Sequence, residues 1–224
     1  MQEAEYKRDF DVMSNQITAA RQVFYTYIEI NKFGDEGKES YNKLNRDGHF
    51  WSVQLYALQT TCFIILGRIF DRTKGAYSIH DFLASTVTYP DFFSKRALAE
   101  RKRTAARQAE PEWLGDYLKS AWEPGKADLA KLRSIIATSV KKWDKIYKPI
   151  RDKIFAHNHT KGSVDALLQG ALIGDIVEIL HDLNKILIHI FQMLENGREY
   201  WISNDDRSYA DPFIGDARKF LSHL

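Results

Sequence analysis

The chain has 224 residues, of which 44% are hydrophobic, 28% charged and 13% aromatic, enough for one well-buried core with the composition of an ordinary globular protein. A net charge of +2 is too small for a surface that binds nucleic acid as a whole, so any basic surface must be local. One cysteine, Cys62, excludes an internal disulfide and fits a reducing compartment, and its setting TTCFIIL marks a buried structural thiol rather than a nucleophile.

The opening MQEAEYKRDF carries no apolar signal core. Phe10, Met13, Ile17, Ala20, Phe24 and Tyr27 then recur at spacings of three and four, which predicts a long amphipathic helix ending near Asn31. FGDEGKES reads as a polar, glycine-containing loop. A second helix is predicted over 49–72, apolar around most of its circumference and therefore placed in the middle of a bundle. Its most apolar run, 53–66, is interrupted by Gln54, Gln59, Thr60 and Thr61 and is too short to span a bilayer, so a soluble cytoplasmic protein without membrane contact is expected. Gly67 inside this helix costs stability, which predicts close approach by a neighbouring helix. Arg68 and Asp71, three apart, are expected to form a local ion pair.

Ser78 is expected to cap a short helix, SIHDFLAS, and 90–122 to form two shorter helices separated near Glu110–Pro111. Pro124–Gly125 introduces a helix predicted over 126–148. Pro149 then either restarts or bends the chain, and Gly162 ends the segment that follows. A long helix over 163–201 carries Ile176, Ile179, Leu180, Leu183, Ile186, Leu187, Ile190, Phe191 and Leu194 as a continuous apolar face. Gly170 and Gly174, four apart, are expected to admit a partner helix closely. Asp211–Pro212 opens a last helix with Phe213, Ala217, Phe220, Leu221 and Leu224 on one side. With no alternating strand pattern, repeat or low-complexity segment, the expectation is one all-α domain over 1–224, long antiparallel helices with shorter peripheral ones.

The chemistry is carried by RDKIFAHNH at 151–159, which sets a permanent cation, Arg151, and a polar Asp152 ahead of His157, whose imidazole titrates near neutrality. Spacing alone is weak: with 14 Arg and 7 His, an Arg followed by His four to six residues later is expected about once by chance, and Arg218 with His223 is such a case. Requiring Asn, Asp or His directly after the Arg lowers the expectation to roughly 0.2 and removes that decoy, which has Lys219 there.

The string RDKIFAHNH resembles the signature of HEPN domains (higher eukaryotes and prokaryotes nucleotide-binding): an Arg, a polar residue, then a His four to six positions after the Arg. Together with LGRIFDRTKGAYSIHDFL at 66–83 the chain resembles the abortive-infection AbiU-type branch. The resemblance implies a HEPN-like helical bundle that commonly dimerises, motif residues from two protomers forming one site. It also implies a metal-independent endoribonuclease that works as a toxin or phage-defence effector. Some members instead bind nucleotides or partner proteins, such as a nucleotidyltransferase antitoxin, and cut nothing. Both readings stay open, because a fold does not fix an activity.

Metal-free RNA cleavage uses the ribose 2′-hydroxyl as nucleophile and leaves a 2′,3′-cyclic phosphate and a 5′-hydroxyl. His157 has the ordinary pKa for the proton transfer, and Arg151 can set paired N–H donors against charge building on the phosphoryl oxygens. Asp152 has three readings: it orients the imidazole, orients Arg151, or favours the helix N-terminus through its charge. Six residues of ideal α-helix turn about 600°, which leaves Arg151 and His157 roughly 120° apart and favours a bent helix end or a site shared across a two-fold axis.

Lys141, Lys142, Lys145, Lys148, Arg151 and Lys153 bring positive charge to the motif, and a second basic stretch, KRALAERKRTAAR, lies at 95–107. Lys145, Lys148, Lys153, Asn158 and His159 are the expected RNA contacts, with phosphate binding that gives affinity without sequence choice. Glu178 and His181 make one Glu-x-x-His step without a second copy, and Asp175, Asp182 and Lys185 beside them read as a polar surface. No Cys-x-x-Cys, His-Glu-x-x-His, Walker loop or dinucleotide fingerprint is present, so no metal or cofactor is implied.

Overall fold

The computed structural model describes residues 1–106, 111–156, 170–199 and 212–224, and among these the chain is helical with no strand, as expected. α1 (Glu3–Asp35) buries Tyr6, Met13, Ile17, Ala20, Phe24 and Ile30 at helical spacing. Its start is closed by the Gln2 backbone N–H donating to Glu5 Oε2 at 2.8 Å. The helix runs past Asn31 to Asp35, so part of the predicted polar loop is its last turn. α2 (Lys38–Arg46) was not legible at all: it buries none of its residues, and apolar periodicity has nothing to report there.

α3 (Gly48–Ile69) returns along α1. Ile30 meets Trp51 in one cluster, while Phe24 and Cys62 face the same cavity, so the two helices are antiparallel. α3 is 22 residues long and holds an 18-residue window of mean hydropathy 1.3, the length and composition of a membrane-crossing helix, more than the run 53–66 suggests. In the bundle it is not enclosed on all sides as expected: Phe50, Val53 and Tyr56 are 56%, 64% and 60% exposed. Cys62 is buried, as expected, and burial pushes its thiol up to about 12.

Ser78 caps α4 (Ile79–Thr88), donating from its backbone N–H and from Oγ to Asp81 Oδ2 at 3.1 and 2.6 Å. A 3₁₀ turn (Pro90–Phe93), α5 (Lys95–Ala106) and α6 (Leu114–Ser120) follow. The basic stretch on α5 is largely committed to the fold. Arg101 is nearly buried and donates to Glu3 Oε1 at 2.8 Å, Phe92 O at 2.9 Å and Leu194 O at 2.5 Å, tying the start of α1 to a distant helix end. Arg103 pairs with Glu100, and Lys102 lies over the Tyr117 ring. Arg107 and Glu110 lie outside the described residues.

The helix expected over 126–148 is divided. α7 (Lys126–Ile135) stops at Ile136, α8 (Ala137–Lys142) resumes, and a π-helical stretch (Trp143–Tyr147) leads into α9 (Lys148–Ile150) and a second π-helical stretch (Arg151–Ala156). The long helix expected over 163–201 is α10 (Ile173–Asn196). Gly197 ends it in the left-handed region at φ 53°, which a side chain resists. Gly170 precedes the helix rather than lying on it, and among the described residues a β-carbon at Gly174 would meet nothing within 4 Å. α10 lies antiparallel to α1, with Lys7 paired to Glu195 at 2.7 Å and Arg21 donating to Asn184 at 2.7 Å. α11 (Pro212–Leu221) docks Leu221 against Ile30 and Trp51, and Arg218 reaches the buried Glu29 at 2.6 Å. Phe220, expected on the packed side, is 62% exposed. Asp211 and Gly162 lie outside the described residues.

His189 sits 2% exposed on the apolar face of α10, where burial first, and the Lys185 charge second, press its pKa from 6.5 to about 4. In the unfolded chain this imidazole takes a proton below about 6.5, and in the bundle it does not until about 4. Stability should therefore fall as pH drops from about 6.5 to about 4, by an upper bound on the order of 3 kcal/mol. Denaturant melts across this window should show the loss, and His189→Gln should flatten it. An unchanged slope in the variant would assign the loss to other groups.

Candidate functional site

Pro149 explains the unusual backbone that holds the site. It has no N–H to donate to residue 145, and its ring clashes with that carbonyl in an α-helix. The chain widens instead: the Lys148 N–H donates to Trp143 O, five residues back, and the six residues from Arg151 are again π-helical. Such widened turns recur at functional sites. The 100° per residue of an α-helix therefore does not apply from Arg151 to Ala156.

Aromatic packing, not charge, fixes this segment. Trp143, Tyr147 and Ile150 are buried at spacings of four and three, and Phe155 continues the seam. Phe70 stacks on Trp143 at 5.4 Å between centroids, and Phe63 meets Tyr147 at 6.2 Å and Phe155 at 4.7 Å. Truncating one such buried ring costs about 3–5 kcal/mol, whereas an ion pair as exposed as Arg151–Asp152 contributes about 0–1 kcal/mol. The placement of Arg151 is thus inherited from α3. The opposite side of the segment is open, with Lys141, Lys145, Lys148 and Lys153 all exposed.

Arg151 lies across α3 at Gly67. A β-carbon there would stand 2.9 Å from Arg151 Nε, 3.2 Å from Cζ and 3.4 Å from Cδ. Gly67 does admit a close neighbour, but that neighbour is a side chain rather than a helix backbone. The two sequence blocks that carry the family resemblance meet at this contact. Asp152 Oδ1 is 2.9 Å from Arg151 Nε, yet Nε is buried and makes no hydrogen bond, so this contact is electrostatic. Of the three readings of Asp152, it supports the one in which the carboxylate orients Arg151. The Arg151 side chain keeps 25% of its area open.

Asp71 does not pair with Arg68 as expected. Its Oδ1 accepts the Thr73 backbone N–H at 2.8 Å. Hydrogen bonding from Thr73 first, and the Arg151 charge after it, hold the Asp71 carboxyl below the usual carboxylate range. Arg72 was not singled out from the sequence, yet it pairs with Asp144 at 3.1 Å and its Nε donates to His80 Nε2 at 3.3 Å. Burial and the neighbouring Arg72 charge lower the His80 pKa, so this imidazole is neutral at physiological pH. Its place inside the 66–83 block was the available signal.

Lys142, counted among the basic approach residues, is taken up elsewhere. It bridges Asp175 at 2.6 Å and Glu178 at 2.5 Å, and Tyr147 Oη donates to Asp175 Oδ2 at 2.9 Å. Ser139 donates to Asp182 at 2.5 Å, and Lys185 is 9% exposed, so this side of α10 is an interhelix clamp rather than the expected free polar surface. An apolar cavity of about 190 Å³ lies between α1, α3 and the start of α10, and Arg151 is not among the residues lining it. Among the described residues no three His, Cys, Asp or Glu side chains converge to hold a metal ion. His157, Asn158 and His159 lie outside the described residues, so the arrangement on view is the Arg151 half of the expected site.

A family model for AbiU2, a HEPN family, matches residues 3–220. No curated protein and no solved structure matches the chain.

Proposed function

The chain belongs to the AbiU2 family of HEPN domains, and from that membership we propose a metal-independent endoribonuclease of the abortive-infection type, acting in the cytoplasm as a homodimer. Arg151 stabilises the phosphoryl transition state, and His157 carries the proton from the 2′-hydroxyl that attacks phosphorus to the 5′-oxygen whose bond to phosphorus breaks. Asp152 holds the guanidinium, and Lys145, Lys148 and Lys153, with Asn158 and His159, bind the RNA backbone. The observation that carries the reading is the setting of Arg151: a half-buried guanidinium seated on bare α3 backbone and flanked by Asp152, in a segment whose other side carries the exposed Lys145, Lys148 and Lys153. A solvated charge needs no such seat.

A second reading, a helical module that binds an antitoxin or a nucleotidyltransferase and cuts nothing, is favoured by the exposed apolar side chains of α3, Phe50, Val53 and Tyr56. The two part on one experiment. Purified protein is incubated with single-stranded and structured RNA in EDTA, and the product ends are typed. Fragments ending in 2′,3′-cyclic phosphate with 5′-hydroxyls are expected. Intact RNA together with a co-purifying partner would establish the second reading, and sedimentation as a monomer would remove the composite site from the first.

A further inference from the structure

Glycine in a helix interior sacrifices helix stability relative to alanine. At Gly67 the missing side chain leaves room for one group, the Arg151 head group, and a methyl carbon 2.9 Å from Nε is well inside contact distance. The collision falls on Nε and Cζ at the inner part of the guanidinium and on the Cδ methylene before it, rather than on a free tip that could swing aside. Phe63 and Phe70, four residues before and three after, hold the α3 backbone against the π-helical segment through Phe155 and Trp143, so neither helix can retreat cheaply. The Asp152 carboxylate flanks the guanidinium once it is seated, Oδ1 standing 2.9 Å from Nε.

We propose that Gly67 is a positioning residue for Arg151, giving its guanidinium the bare backbone on which it lies to meet a phosphodiester, and that any side chain at 67 unseats it. The kinetic half of this proposal rests on the ribonuclease reading; the seat itself does not.

Gly67→Ala, Arg151→Ala and the double variant, each in the full chain, separate the two. With Arg151 truncated the space is empty, so Gly67→Ala should gain the ordinary glycine-to-alanine helix preference and raise Tm by about 2–4 °C. With Arg151 present that gain should be absent. Equal gains in both backgrounds would overturn the proposal, whereas a single variant that fails to fold beside a double variant that folds would display the same coupling in extreme form. In RNA cleavage, Gly67→Ala should fall to the level of Arg151→Ala, and the double variant should be no slower than Arg151→Ala alone. Wild-type cleavage by Gly67→Ala would overturn the positioning role. Coupled stabilities in a chain that cuts no RNA would sink the ribonuclease reading and leave Gly67 as the seat of Arg151.

Discussion

His157→Ala should reduce RNA cleavage in EDTA by about 10²–10⁴-fold, the usual cost of removing a positioned proton-transfer group. Without a metal ion to activate it, the 2′-hydroxyl stays a poor nucleophile at neutral pH unless a side chain takes its proton. Among the side chains of the motif 151–159, two imidazoles, His157 and His159, can do so near pH 7. The Arg-polar-His spacing selects the first of them. A third imidazole, His80, lies in the other sequence block and is held neutral, so it is the natural control. Rates would be measured on a labelled RNA with enzyme in excess, so that chemistry rather than turnover is read. Cleavage that survives in His157→Ala, vanishes with EDTA, or leaves 5′-phosphates would refute the mechanism. Loss of cleavage in His80→Ala with retention in His157→Ala would move the proton to the other block. Expression in cells offers a second readout: growth should be arrested when both His157 and Arg151 are intact and restored when both are replaced.

The parts of this fold that were legible in the sequence are those where one local rule settles the outcome. Ser78 followed by Asp81 makes a capping box whatever surrounds it. The apolar face of α10 follows from spacing alone, since Ile176, Ile179, Leu180, Leu183, Ile186, Leu187 and Ile190 leave a helix one side to bury. Gly67 announced an approach and Pro149 a disturbance, because glycine and proline state what the backbone must tolerate. What they tolerate is a tertiary fact. That the visitor at Gly67 is the signature arginine, and that Pro149 is accommodated by π-turns, depends on how the aromatic seam from Trp143 to Phe155 docks on Phe63 and Phe70. Charge misleads for the same reason. Arg101 and Lys142 read as members of basic stretches, yet Glu3 claims the first and Asp175 the second. The helix Lys38–Arg46 left no apolar rhythm to follow, and the break at Ile136 is hidden because Leu129, Leu132, Ile136 and Trp143 keep helical spacing across it.

Arg151→Lys keeps the charge and should still lose about 10²–10³-fold in cleavage, the scale of removing one preorganised donor from a developing oxyanion. The guanidinium is planar and spreads its donors in a fork, so one edge can face Asp152 while others meet phosphoryl oxygens. An ammonium is a compact point charge on a flexible stem. It cannot lie flat on Gly67, and turning toward Asp152 leaves its charge away from the phosphate. Stability should hardly change, because the pair with Asp152 is partly solvent-screened, 25% and 40% exposed on its two sides, and such pairs contribute about 0–1 kcal/mol. A large kinetic loss with an unmoved melting transition is therefore the expected signature, and RNA binding should weaken far less, since Lys145, Lys148 and Lys153, proposed to hold the RNA backbone, are unchanged. Cleavage by Arg151→Lys within about threefold of the parent chain would mean that a bare positive charge suffices. The seat at Gly67 would then serve the fold of the segment rather than its chemistry.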